Sequence, residues 1–477
     1  MSNFFPSWFK PIDASSLAVF RIMFGGLLLF ESVNYGLFLC LDCMYRSSDM
    51  LFKYNNFEWV GLWPGIGLEL NFLVMGLSGF CIMIGFYYRV AMIVYTICFS
   101  YLFLLDQVLY LNHFYLVIIL CSIMVFLPAS RYWSVDARRN PNWASATVPA
   151  WSRIWLLVQT EIVLLYAGIV KLNLDWLNLE PMRLWMNEQS QHSHAFFQWL
   201  TQDPGIALAS YGVLVLHIVG APLLLWRKTR LPVFLIYSFF HTINAFVFDI
   251  GIFPWMTIAA TLLFFDPDWP KQFYRWLNNR VRNSRFRSST DGESVDSKTK
   301  ATSSHAQINI QPFYSTQPIC KLFIVFGISA WLILQATVPL RHWFLPGNVA
   351  WNEAGHRFSW RMKLRTKRGT ATFYVVVNGK PAVVVDPNEH LNRKQVRKMV
   401  CIPDLIWQYA QFLETQYTQS AEDDVKVYAD TQCSLNTREP ASLIHRLVDL
   451  TAIDRTEPVM NWVTPLTKEL PDKFLPL

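Results

Sequence analysis

Lys171 closes the apolar run VQTEIVLLYAGIVKLNLDW, and its setting is the one in this chain that most invites chemistry. An ionisable group in a spanning helix is costly and usually faces a bundle interior or a water-filled cavity. Two readings stand open for it. The side chain can snorkel, its stem in hydrocarbon and its ammonium at the outer interface. Alternatively, it is desolvated in a pocket, as an amine able to take a proton. Glu161, ten residues earlier, is too distant for a local pair and suits an interhelical contact.

A second group lies in Asp106-Gln-Val-Leu-Tyr110-Leu-Asn112-His113. Asp106, Tyr110 and His113 are spaced i, i+4 and i+7, so they share a face if helical geometry runs through them. Such a cluster holds a histidine in one tautomer or lines a polar mouth; the plainer alternative is an interfacial cap and turn. His241 and Asn244 are i, i+3 and suit a ligand contact or interhelical hydrogen bonds, while His217 is read as structural. Asp249, Gly251 and Pro254 mark a place where a spanning segment can break. A fourth group is Trp351-Asn-Glu-Ala-Gly-His356-Arg-Phe-Ser359-Trp360-Arg361, followed by Arg365. It suits a polar substrate held over a bundle mouth or an aromatic interface belt. Its arginines suit a carboxylate or lipid head groups. HExxH, GxSxG and glycine-rich nucleotide loops are absent from the sequence, so no metal site is expected and a soluble nucleotide cofactor is disfavoured.

The elements that must position these residues follow from hydropathy. Of 477 residues, 53% are hydrophobic and only 16% charged, where a soluble chain carries about a quarter. Nine apolar segments suit spanning helices: 17–38, 66–87, 89–107, 111–128, 152–172, 206–226, 230–248, 250–266 and 318–338. The formal charge of +7 resides mostly in short connections, around Lys10, Arg89, Arg131 to Arg139, Arg227 to Arg230 and Lys271 to Arg287. That placement reads as topology, with the N-terminus cytoplasmic, and no nucleic-acid partner is expected. No cleavable signal peptide is expected, the first helix serving as its own insertion signal. Polar residues 283–311 read as a flexible cytoplasmic loop. The expected architecture is thus a polytopic α-helical membrane protein with about nine transmembrane helices over 1–338, followed by a small mixed α/β extracytoplasmic domain over 339–477. In that domain strands are expected over Arg357 to Arg365, Ala371 to Val377 and Ala382 to Val385, with turns at Arg368-Gly369 and Asn378-Gly379. Helices are expected over Asn392 to Met399 and Pro403 to Leu413. Cys40 and Cys43 form one CxxC without a second, and a bridge involving Cys401 and Cys433 fits an oxidising compartment.

Four stretches, DQVLYLNHFYL, YAGIVKLNLDW, HTINAFVFDIGIFPW and VAWNEAGHRFSWRM, together resemble the vitamin K-dependent gamma-carboxylases. The likeness is closer to short bacterial members with a horizontally transferred transmembrane domain, and it runs from about Pro11 to Arg455. The resemblance implies an enzyme in a bacterial inner membrane. It would oxidise vitamin K hydroquinone with O2 to the epoxide, and use the base so produced to carboxylate glutamates of a peptide or protein with CO2. It further implies that Lys171 deprotonates the hydroquinone and His113 assists. Asp106, Tyr110 and Asn112 would line the cofactor pocket, with His241 and Asn244 beside them as candidates from their spacing. Trp351, Ser359 and Trp360 match the glutamate-holding segment, in which His356 replaces a tyrosine and Arg365 a histidine. Substrates bearing the animal propeptide are not expected. Two other classes fit the residues: a quinol oxygenase or epoxidase that carboxylates no protein, and a membrane transporter or lipid-binding scaffold.

Overall fold

The computed structural model describes residues 7–189, 199, 201–248, 250–287 and 317–471. Asp249 and the part of the expected loop beyond Arg287 lie outside these. The apolar segments form a helical bundle: α1 (Ser15–Val33), α2 (Gly67–Ile84), α3 (Tyr88–Leu105), α4 (Asn112–Phe126), α5 (Ala150–Ile169), α6 (Asp203–Val215), α7 (Arg230–Val247), α8 (Phe253–Thr261), α9 (Trp269–Arg287) and α10 (Pro318–Thr337). Among the described residues seven helices are long and apolar enough to cross a membrane, α6 doing so through a π-turn that carries it on to Leu225. The expected count of about nine becomes seven long helices and two short ones, because α4 spans only 15 residues, ending at Phe126, and α8 only nine before a 3-10 turn. Asp106 breaks from helical geometry and accepts a hydrogen bond from Val108 N at 2.9 Å, opening a separate 3-10 turn before α4. Gly251 is left-handed (φ 53°), and Pro254 occupies the first turn of α8, where its missing N–H costs nothing.

Close packing of α1 and α2 depends on two glycines. A Cβ at Gly25 would lie 2.5 Å from Met83 N, and one at Gly79 would lie 2.8 Å from Leu29 N. Lipid-embedded helices gain contact by such backbone approach, since lipid tails are as apolar as their side chains.

At the bundle's other end, β1 (Pro11–Asp13) pairs with β2 (Thr147–Pro149). After α10 comes an antiparallel sheet of order β4-β3-β5-β6, formed by β3 (Lys367–Val377), β4 (Val383–Val385), β5 (Val425–Leu435) and β6 (Ala441–Ser442). The helices α11 (Arg393–Met399) and α12 (Pro403–Tyr417) accompany it, and Asn392 and Gln395 form a reciprocal cap on α11. Every second residue of β5 is buried from Val425 to Leu435, in a core shared with Leu405, Ile406, Tyr409 and Leu413 of α12. Asn378 and Gly379, both left-handed, turn β3 toward β4. Arg368-Gly369 is no turn but lies within β3. Gly369 is required there, since a Cβ would sit 2.1 Å from Gln432 O and 2.7 Å from Cys401 Sγ. Cys401 is bonded to Cys433, and Cys40 to Cys43. The strand expected over Arg357 to Arg365 does not form, because left-handed Phe358, Trp360 and Lys363 interrupt extended geometry.

Polar side chains fasten this domain to the bundle. Gln395 donates to Asp106 at 3.1 Å, and Gln408 donates to Gln107 at 3.1 Å and accepts from Lys53 N at 2.7 Å. Four residues past Lys171, Asp175 receives both guanidinium nitrogens of Arg438 at 2.7 Å and Asn436 Nδ2 at 2.6 Å. Forked pairs of this kind fix orientation as well as proximity. Replacing Asp175 by Ala strands the nearly buried Arg438 and is expected to cost about 3 kcal/mol. The check is thermal unfolding of the protein in detergent; an unchanged Tm would show that the clamp does not hold the two parts together.

Candidate active site

Lys171 sits in the turn that ends α5, its backbone N–H bonded to Gly168 O at 2.9 Å. The side chain is only 4% exposed, so it does not snorkel. Its Nζ donates to Ala167 O at 2.6 Å and lies 5.0 Å from the Trp176 ring centre. An ammonium has three donors, and among the described residues this one has a single acceptor and no carboxylate partner. The lysine lines a mainly apolar cavity of about 110 Å³ with Trp176, His217, His241, Asn244 and Phe253. His217 Nδ1 is 2.8 Å from Val213 O, a contact that places the proton on Nδ1 and leaves Nε2 as the acceptor. His241 is 2% exposed, stacks on Tyr237, and neither ring nitrogen has a hydrogen-bond partner among the described residues. Buried polar atoms without partners are uncommon, and these face a cavity wall that can receive a ligand oxygen.

His113 opens α4 and lines a different, polar cavity of about 290 Å³. Its ring packs edge-on against Phe114 and makes no hydrogen bond among the described residues. Glu353, His356, Arg357, Arg361, Arg365 and Lys398 line the same space. Thus Lys171 and His113, expected to act together, stand in two cavities; Ile250, Phe253, Met362 and Lys363 line both.

Tyr110 and Asn112 also line the polar cavity, where they hold a loop. Tyr110 Oη accepts from Phe358 N at 2.7 Å and donates to Asn112 Oδ1 at 3.0 Å, while Asn112 Nδ2 donates to Arg361 O at 3.3 Å. Asp106 lines neither cavity; it caps a turn and receives Gln395. Trp351 is buried in the core of the outer domain, its indole N–H donating to Thr464 O at 2.7 Å. Trp360 is buried in the bundle core with its ring 5.1 Å from that of Tyr115, and Ser359 Oγ donates to Gly355 O at 2.7 Å. These three scaffold the loop, while His356 and Arg365 reach the cavity.

Sequence reasoning missed three contributors. His217 carried the same signal as Lys171, a polar residue in an apolar run, but was read as structural. Glu353 bridges Arg365 at 2.5 Å and Lys367 at 3.1 Å, with His356 Nδ1 4.0 Å away. Burial opposes ionisation of Glu353, yet Arg365 and Lys367 outweigh it and hold the carboxyl well below its ordinary range. Burial and the neighbouring charge of Arg365 lower Lys398 to about 8, and burial lowers Lys367 to about 8 despite Glu353. Lys363 is the third, and nothing in its local sequence marks it.

Residues 9–269 match the HTTM domain, and residues 320–469 match the vitamin K-dependent gamma-carboxylase lumenal domain. No solved structure matches the chain. The first match alone spans more than half of the 477 residues and holds Lys171, His113 and all of the apolar cavity's lining but Met362 and Lys363; the second holds those two and the cationic wall of the outer cavity. The chain belongs to the HTTM family of integral membrane proteins, in the branch that carries the vitamin K-dependent gamma-carboxylase lumenal domain.

Proposed function

We propose that the protein γ-carboxylates glutamate side chains of a peptide or protein, using vitamin K hydroquinone, O2 and CO2, and releases the quinone epoxide. The observation that carries this reading is the pair of cavities with a common wall, one apolar and holding Lys171, the other cationic and holding His113. A prenylated hydroquinone fits the first by its chemistry: an apolar slot for the rings and tail, with Lys171, His241 and Asn244 as the few polar groups that orient it. When bound, the hydroquinone is oxidised by O2 and supplies the strong base. In balance, quinol, O2, CO2 and a glutamyl C–H give epoxide, water and a γ-carboxyglutamyl group.

The chain's own residues supply positioning, proton transfer and exclusion of water. Lys171, buried without a carboxylate partner, is a poor place for a positive charge, and its amine takes the proton from a quinol hydroxyl. His241 and Asn244 hydrogen-bond the ring oxygens and hold the ring against Phe253. His113 stands across the common wall, where one hydrogen bond toward developing negative charge contributes about 3 kcal/mol. The apolar lining keeps bulk water from the carbanion equivalent that carboxylation needs. Arg357, Arg361 and Lys398 offer the peptide a cationic surface. In this reading α4 and α8 complete about nine membrane crossings of a bacterial inner membrane, and the outer domain faces the extracytoplasmic side. The basic residues in the opposite connections and the Cys401–Cys433 disulfide support that orientation.

Lys171→Ala is expected to abolish labelled CO2 incorporation into a glutamate-rich peptide and epoxide formation together, by about 100-fold or more, in protein that still folds. Epoxide without incorporation in the unaltered protein would favour a quinol epoxidase, and neither product in folded, quinol-bound protein would exclude the enzyme. Lys398, which lines the outer cavity, and Lys367, which pairs with Glu353 beside it, add a pH dependence. A lysine lowered to about 8 is charged at pH 7 and loses its proton as pH rises through that value, so the cavity becomes less cationic. KM for the peptide is therefore expected to rise several-fold between pH 7 and 9, and Lys398→Gln to flatten the rise; an unchanged KM across that range would place peptide binding elsewhere.

A further inference from the structure

His217 shares the apolar cavity with Lys171, and three features of the fold fix its ring there. The chain after α6 forms a π-turn over Leu216–Gly220, an irregularity often found at functional sites. Gly168, three residues before Lys171 on α5, lets that turn approach: a Cβ there would lie 2.9 Å from His217 Cβ and 3.1 Å from Ile218 N. From α7, Tyr237 Oη donates to Leu216 O at 2.9 Å, and the rings of Tyr237 and Phe240 stand edge-on to the imidazole, their centres 5.7 and 5.5 Å from its own.

The hydrogen-bonding character of the ring is fixed along with its place. Nδ1 lies 2.8 Å from Val213 O, and a carbonyl can only accept, so Nδ1 carries the proton and Nε2 a lone pair that has no partner among the described residues. The two hydroxyls of the described lining spend their protons in the same way. Thr160 donates to Leu156 O at 2.8 Å and Thr257 to Phe253 O at 2.9 Å. Among the described residues the lining holds no carboxylate that would draw a second proton onto the imidazole. These three side chains therefore present acceptors to the cavity.

We propose that His217 makes the apolar cavity selective for the reduced ring: its Nε2 accepts a hydrogen bond from the quinol hydroxyl that Lys171 does not deprotonate, and opposes the carbonyl oxygens of the quinone and the epoxide. This rests on the carboxylase reading above. A hydroquinone carries two O–H donors, whereas the quinone and the epoxide carry acceptors alone. An acceptor set against an acceptor in an apolar site forfeits the bond and leaves both groups unsatisfied. The contact that admits the quinol thus also favours release of the spent product. No bond to His217 is made or broken, and Nδ1 keeps its proton.

The test uses the full-length protein in detergent, without O2, and measures by equilibrium dialysis the affinity for a short-tailed naphthohydroquinone and for the corresponding naphthoquinone. The unaltered protein is expected to prefer the hydroquinone by about 10-fold or more. His217→Leu, which removes the acceptor, is expected to weaken hydroquinone binding about 10-fold and to leave quinone binding within about two-fold. His217→Gln, which adds a donor, is expected to tighten quinone binding and so narrow the preference, and it serves if the Leu variant does not fold. General damage to the cavity would weaken both ligands together, so the ratio of the two affinities isolates the contact. Equal affinities in the unaltered protein, or an unchanged ratio in a folded variant, would overturn the role of His217 alone; binding of neither ligand by folded, unaltered protein would overturn the underlying reading with it.

Discussion

An amine buried at the end of a membrane helix, with one carbonyl as its acceptor, is expensive to keep charged and equally expensive to expose to competing water. The surroundings of Lys171 answer to that constraint. The helix α5 supplies the carbonyl and Trp176 supplies an aromatic face. His217 commits Nδ1 to its own helix, and His241 keeps both nitrogens uncommitted among the described residues. Directly after the lysine, Asp175 locks the chain to Arg438 of the outer domain, so the two halves of the protein are joined beside the residue that needs the most shelter.

The outer cavity is ruled by the opposite problem, too many cations close together. Glu353 resolves part of it by sitting between Arg365 and Lys367, and the remaining positive charge faces the space above His113. Two environments of contrasting polarity thus meet at a thin wall of Ile250, Phe253, Met362 and Lys363. The proposed function would use that contrast: the apolar cavity suits the redox half-reaction on the quinol ring, and the cationic one suits the carboxylate of the glutamyl substrate.

Much of this was legible in the sequence where hydropathy or local spacing carries the information. The long helices, Lys171 and His113 all announce themselves as apolar runs or as polar interruptions of them. The extents of α4 and α8 were harder: the apolar runs outlast both helices, α4 ending at Phe126 ahead of Pro128 and α8 beginning only at Phe253, after left-handed Gly251. The strand β5 alternates as VKVYADTQCSL, yet its partner β3 begins at Lys367, a separation over which pairing leaves no local mark. Least legible was the loop from Phe358 to Lys363. Its left-handed residues are not glycines, and their conformation is imposed by Tyr110 and Asn112 from the start of α4. Trp351 and Trp360, expected together in a glutamate-holding segment, likewise belong to two separate cores.

The central claim is that quinol and peptide occupy adjoining cavities with Lys171 on the quinol side. Its most direct test is an electron cryo-microscopy structure of the protein with a naphthohydroquinone and a glutamate-rich peptide, prepared without O2. The account predicts the ring beside Trp176 and His241, with a ring oxygen within hydrogen-bonding distance of Lys171 Nζ and the peptide carboxylate on the His113 side of Phe253. A ring bound in the cationic cavity, or Lys171 turned away toward a carboxylate or a lipid phosphate, would contradict it.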